Sequence, residues 1–231
     1  MFKSGEAVLI GLLLCPLGVY AQQASSPPLG GLTIRLEQYR NEKVVPVRPE
    51  HVFTADDVVR FRLKSANDGY IYVVDHSTSG EYTVLFPAGD SSASNAVQRD
   101  TEFYVPTPET GWFQVGGAPG FDTVYFLLSP TRLTVSGAPT TVQPRMKPQD
   151  KLPDNLLPRC NDSIFKARGE CVDDTAGPAV LPRGATLPPQ ISVAAADASR
   201  DLSLVNDADG TVRVTKTSGG PAVYVFRIAH K

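Results

Sequence analysis

The chain is poor in the residues that most often carry chemistry, with three cysteines, three histidines, one tryptophan and two methionines among 231 residues. His51, His76 and His230 stand far apart, and no His-Glu-x-x-His pair occurs, which excludes a zinc-protease helix. No glycine-rich loop is present to cradle a phosphate, and no Gly-x-Ser-x-Gly elbow to present a nucleophilic serine. Charge of one sign is lacking too. Lys and Arg number 22 against 24 Asp and Glu, a net charge of −2, and no basic run exists. Nucleic acid therefore has no electrostatic footprint here. The N-terminal apolar run, Ala7 to Leu14, is far shorter than the ~20 residues that span a bilayer, so no membrane span is expected after processing.

That short run belongs to a different signal. Lys3 precedes it, and Val19-Tyr20-Ala21 follows it before Gln22-Gln23. A basic start, a short apolar centre and a small residue at the cut describe a secretory signal peptide over residues 1–21, cleaved after Ala21. Cys15 raises a lipoprotein reading, but Leu14 stands where a small residue is expected and Pro16 follows. The mature chain is thus expected in the periplasm or outside the cell. Only Cys160 and Cys171 remain after cleavage, an even count in an oxidising compartment. No further Cys or His lies nearby to complete a zinc site. A local disulfide is expected, contributing ~2–3 kcal/mol by restricting the unfolded chain. No cofactor or metal is expected.

Residues 22–31 form a polar, flexible lead-in. Leu32, Ile34 and Leu36 then alternate with Thr33, Arg35 and Glu37, the pattern of a half-buried strand. Val59, Phe61 and Leu63 repeat that period against Val58, Arg60 and Arg62. Further strands are expected at Tyr70–Val74, Tyr82–Phe86, Glu102–Val105, Trp112–Val115 and Thr123–Leu128. Tyr70–Val74 is apolar on both faces, as in a strand covered on both sides. The polar loop Ser77-Thr78-Ser79-Gly80 makes it one arm of a hairpin with Tyr82–Phe86. Seven short strands with turn residues between them, and no 3.6-residue stripe, predict an all-β fold: an immunoglobulin-like antiparallel β-sandwich over residues 32–129.

Prolines punctuate residues 130–190, which excludes a long helix and predicts an extended arm pinned by Cys160 and Cys171. Asn161 to Gly169 has room for one short helix between the cysteines. In residues 191–231, Leu202 to Val205, Thr211 to Thr215 and Ala222 to Ile228 are β-type. Two or three strands bury too little to stand alone, so these are expected to pack back on the sandwich. A small separate domain is the other arrangement.

Val58-Val59-Arg60-Phe61-Arg62-Leu63, Asp68-Gly69-Tyr70-Ile71-Tyr72-Val73 and Leu85-Phe86-Pro87 together resemble domain of unknown function 4384, a bacterial family. Asn95, Tyr104-Val105-Pro106, Pro119-Gly120 and Leu127-Leu128-Ser129 extend the resemblance over roughly residues 32–129. The family's usual Gly-Asp pair before the Val-Arg-Phe strand is replaced by Ala55-Asp56-Asp57. The resemblance implies a fold and a bacterial source but no catalytic residues. Asn161-Asp162-Ser163 fits a glycosylation acceptor, which that source would leave idle.

Candidate sites are few. Asp207-Ala208-Asp209-Gly210 looks like half a calcium loop, but the register puts Val205 and Lys216 at ligand positions, so it reads as a hairpin turn. Asp56-Asp57 and Asp173-Asp174 read as turn and solvent-facing residues. Asp75-His76-Ser77 contains the residue types of a hydrolytic triad, but sequential residues cannot form the relay. Tyr70, Tyr72, Tyr82, Tyr104, Trp112 and Tyr125 would make a stacking platform if they lined one outward face. Tyr70, Tyr72, Tyr82, Tyr224 and Phe226 are the candidate interaction residues. The functional expectation is a non-catalytic binding or structural module of a bacterial envelope, its partner another envelope protein. The alternative is a carbohydrate-binding module holding glycan on exposed aromatics.

Overall fold

The structure, a computed structural model, describes residues 31–87, 95–108, 111–134, 157–160, 171–182, 184–193, 195–196, 198, 202–216 and 220–231. The expected signal peptide over residues 1–21, the expected lead-in up to residue 30 and the expected helix over 161–169 lie outside the described residues, as does the 161–163 acceptor motif.

Strands dominate. They are β1 (Gly31–Arg40), β2 (Lys43–Val47), β3 (Val52–Phe53), β4 (Val58–Ser65), β5 (Gly69–His76), β6 (Tyr82–Phe86), β7 (Ala96–Val97), β8 (Glu102–Val105), β9 (Phe113–Gln114) and β10 (Gly120–Ser129). After them come β11 (Gly177–Ala179), the one-turn helix α1 (Pro189–Ser192), β12 (Leu202–Asn206), β13 (Thr211–Lys216) and β14 (Ala222–His230). Among the described residues they make two seven-stranded sheets. The first runs β12-β13-β1-β4-β8, with β2 also on β1 and β9 also on β4. The second runs β11-β14-β10-β5-β6, with β3 parallel to β14 and β7 on β5.

The alternation read from sequence is what closes the sandwich. In β4 every second residue is buried, and Val59, Phe61 and Leu63 point inward together with Leu32, Ile34 and Leu36 of β1. They meet Ile71, Val73, Val124, Phe126 and Leu128 from the second sheet. Phe61 packs edge-on against both Phe126 and Phe226, at 5.0 and 5.9 Å between ring centres. Full burial of such side chains contributes ~1.5–3 kcal/mol each.

The C-terminal strands pack back by completing both sheets. β13 pairs with β1 in the first, and β14 lies between β10 and β11 in the second. Tyr224, Phe226 and Ile228 face the sandwich core, while Val223 and Val225 face out of the second sheet. The hairpins have local causes. Asn41 and Glu42 take φ of 52° and 58°, a two-residue turn whose twist suits β1 and β2. Gly210, at φ 83°, closes the Asp207–Gly210 turn between β12 and β13 and is packed so tightly that a Cβ would lie 2.9 Å from the Val47 carbonyl.

The described part of the arm forms a third layer that continues past its expected end at residue 190 through Ile191 and Ala195. Leu181, Leu187, Ile191 and Ala195 are buried against Tyr72, Val74, Tyr125, Leu127, Val223 and Val225 on the outer face of the second sheet. At Leu133 the backbone N–H donates to Tyr72 Oη at 2.7 Å, and that hydroxyl donates to the Leu133 carbonyl at 2.9 Å. The Cys160–Cys171 disulfide fastens the arm at one edge. Beside it the Val52 N–H donates to the Cys171 carbonyl, and Val52, Cys171, Ala176 and Ala229 form a separate small cluster.

Candidate functional site

The expected interaction residues fall in two different places. Tyr224 and Phe226 point into the sandwich core and are almost fully buried. Tyr72 is buried under the arm; Tyr70 and Tyr82 are partly buried at the margin of the same layer. Tyr70, Tyr72, Tyr82 and Tyr125 do share one sheet face, but the chain itself covers it. An open row of these tyrosines is therefore not formed, because outward Val74, Leu127, Val223 and Val225 make that face too apolar to leave in water.

Among the described residues no further layer lies over the outer face of the first sheet. Alternation sends Arg35, Glu37 and Tyr39 outward from β1, Arg60 and Arg62 from β4, and Glu102 and Tyr104 from β8. Trp112 enters this face just before β9. The Arg60 guanidinium lies over the Tyr104 ring at 4.3 Å and over the Trp112 ring at 4.4 Å. Its Nε donates to Glu37 Oε2 at 2.8 Å. Tyr39 leans on Trp112, 5.6 Å between ring centres, and is 44% exposed. Around this cluster the charges are paired: Arg62 reaches both Glu102 oxygens at 2.6 Å, and Arg35 reaches Asp209 at 2.7 Å. The result is a stiff aromatic and arginine patch with few dangling charges. Tyr104 and Trp112 were among the aromatics singled out from sequence. Tyr39 and Arg60 were missed as site residues, although extending the Leu32-Ile34-Leu36 alternation to position 39 places Tyr39 outward.

A second polar cluster closes one end of the sandwich. The Thr78 N–H donates to Asp122 Oδ1 at 2.7 Å. His230 Nε2 lies 3.3 Å from both Asp122 Oδ2 and Thr78 Oγ1. Both partners meet the same ring nitrogen, whereas a relay uses opposite nitrogens. Asp75 and His76 do not join it as a triad. Asp75 lies on the core side of β5, while His76 lies on the other side and stacks on Tyr82 at 4.2 Å. Burial, and then the Asp122 charge, push the Asp75 carboxyl up to about 7; burial pushes His76 down.

The remaining carboxylates serve turns. Asp57 accepts from the Thr54 N–H at 2.8 Å and from Gln38, and Asp209 accepts from the Thr211 N–H at 3.0 Å. Asp173 departs from the solvent-facing expectation and is buried. Burial raises its carboxyl, but hydrogen bonds from the Arg159 N–H and from Thr175 outweigh that and hold it low. Among the described residues no group of three or more His, Cys, Asp and Glu side chains is arranged to hold a metal ion, and no helix is long and apolar enough to cross a membrane.

No curated protein matches the chain, and no solved structure does. Residues 52–132, from β3 through β10, match the family model described as Domain of unknown function (DUF4384), the family that the strand motifs resemble.

Proposed function

We propose that this is an exported, non-catalytic β-sandwich module that binds another protein of the bacterial envelope through the outer face of its first sheet. One observation carries the reading. The chain covers the outer face of its second sheet, whereas among the described residues no layer lies over the outer face of the first, where Tyr39, Trp112, Tyr104 and Arg60 stand together. Tryptophan, tyrosine and arginine held stiffly on an open surface are the composition of protein-binding hot spots. The Cys160–Cys171 disulfide suits an oxidising compartment, in keeping with a signal peptide ending at Ala21.

A glycan is the alternative ligand, and Tyr39 favours it in part by its open ring. Arg60, however, already occupies a face of both Tyr104 and Trp112. That leaves little free ring surface on which successive sugars could stack.

Photo-crosslinking in the producing cell decides between them. A crosslinker at Tyr39 should capture one discrete protein, and one at Val180, an exposed residue of the arm itself, should not. No protein captured from Tyr39, combined with glycan retardation lost in Tyr39→Ala, would replace the protein reading with the glycan one. N-terminal sequencing of the mature chain should begin at Gln22; a product retaining Met1 would remove export from the proposal.

A further inference from the structure

The tip of the β1–β2 hairpin breaks a rule that the rest of the first sheet obeys. Arg40 and Lys43 are direct cross-strand partners. Like charges opposite one another destabilise a hairpin. The two-residue turn at Asn41 and Glu42 fixes the register, so the pair cannot slip apart. Elsewhere on this sheet arginines meet carboxylates: Arg35 with Asp209, Arg60 with Glu37, Arg62 with Glu102 and Arg213 with Asp207. Among the described residues Arg40, Lys43 and Arg48 form no ion pair.

These three cations line one cleft. It lies between the hairpin and the β12–β13 turn, has a volume of about 570 Å³, and carries Val45 and Val47 along its wall. That volume is within the ~300–1,000 Å³ typical of small-ligand sites. Arg48 spans towards the turn, its Nη2 3.5 Å from the Ala208 carbonyl. The cleft holds one carboxylate, Asp209, which is already engaged by Arg35 and by the Thr211 N–H. In a chain of net charge −2, an uncompensated positive cleft built on a fixed like-charge pair is a local conflict. Such conflicts are expected at functional sites.

We propose that this cleft binds a multiply charged oxyanion, a phosphate or a cluster of carboxylates, held by Arg40, Lys43 and Arg48. Guanidinium forks meet either group with two parallel hydrogen bonds, and the lysine adds a point charge. The site stands apart from the aromatic patch. Tyr39 and its partner Val44 face the other side of the hairpin, so either site can fail without the other.

The test uses the full mature chain with inorganic pyrophosphate, citrate and polygalacturonate, each against sodium chloride of equal ionic strength. Amide NMR shifts should saturate and centre on residues 40–48. A response to pyrophosphate alone identifies phosphate as the ligand group; a response to citrate and polygalacturonate alone identifies carboxylate. Arg48→Ala should weaken binding at least fivefold and Lys43→Glu at least tenfold. Lys43→Glu should also leave Tm unchanged or raised, since it puts a carboxylate opposite Arg40. No saturable shift from any probe beyond the chloride control, or Lys43→Glu binding as tightly as the native chain, would overturn the proposal. So would a Lys43→Glu chain that loses stability together with binding, because the lysine would then be structural.

Discussion

On the outer face of the first sheet, outward positions carry Arg35, Glu37, Arg60, Arg62 and Glu102, tied to one another or to turn carboxylates by ion pairs. On the outer face of the second, the equivalent positions carry Tyr72, Val74, Leu127, Val223 and Val225, and the arm lies across them. Outward residues thus decide whether a sheet needs a third layer. A face of paired charges and aromatics tolerates water and stays available to a partner; an apolar face must be buried by something. Here it is buried by the chain's own proline-rich segment. The tyrosines that look like a platform in the sequence are consumed by folding, while the platform that survives is built around Arg60.

The strongest test of this contrast removes the footing of the covered face. A chain ending at Gly220 loses β14, and with it Tyr224, Phe226 and Ile228 from the core and Val223 and Val225 from beneath the arm. At ~1.5–3 kcal/mol for each large side chain, set against a domain total of ~5–15 kcal/mol, no folded state should remain. Circular dichroism and limited proteolysis would read this. A cooperative transition at the native midpoint would mean that β14 does not belong to this sheet.

Next in size is Ile191→Ala in the arm. Ile191 has no exposed surface, and emptying its site should cost ~2–5 kcal/mol. Crosslinking from Tyr39 should persist wherever the variant remains folded. If the urea midpoint does not move, the arm is not packed as a layer.

β5 separates the core from the covered face, and its Asp75 supplies a pH-dependent measurement. The folded carboxyl is raised to about 7, above the ~3.9 of an unfolded aspartate. Between those values the native state binds more protons than the unfolded one, so stability should fall as pH rises from ~4 to ~7, by at most ~1.4 kcal/mol per pH unit. Asp75→Asn should flatten that slope and exceed the native chain in stability at pH 8. Urea midpoints at pH 5 and pH 8 check it, and an unchanged slope in the variant would exclude Asp75 as its source.

The smallest effect should come from the open face. Tyr39→Ala removes a ring that is 44% exposed and should shift the urea midpoint by the equivalent of ~0.5 kcal/mol or less while abolishing co-purification of the protein captured through position 39. A large loss of stability would make Tyr39 a packing residue and weaken the contrast between the faces.

Much of the fold could be read from residue pattern. The period of two in β1 and β4 correctly separated inward Ile34 and Phe61 from outward Arg35 and Arg60. The Ser77–Gly80 and Asp207–Gly210 turns fell where their residues suggest. Strands β2, β3, β7 and β11 went unread. Three of them are only two or three residues long, and β2 contains Pro46, which an edge strand tolerates but which argues against a central one. The family match over residues 52–132 spans neither β1 nor β14, yet β4 leans on β1 and β10 on β14. The matched segment therefore cannot close this sandwich alone.

By itself the sequence determined which residues face in or out along β1 and β4, where the Ser77–Gly80 and Asp207–Gly210 turns fall and that Cys160 pairs with Cys171. These depend on φ/ψ preference and on neighbours a few positions away. Which strands become partners, and which face is covered, was decided only in three dimensions. Leu32 pairs with Val214, and Tyr125 lies beneath a segment whose buried Leu187, Ile191 and Ala195 recur every four residues. Pro188 and Pro189 break that segment and only one helical turn forms, too short a pattern to name the sheet face it covers. Such contacts join distant segments through shape and apolar area, and no local pattern encodes them.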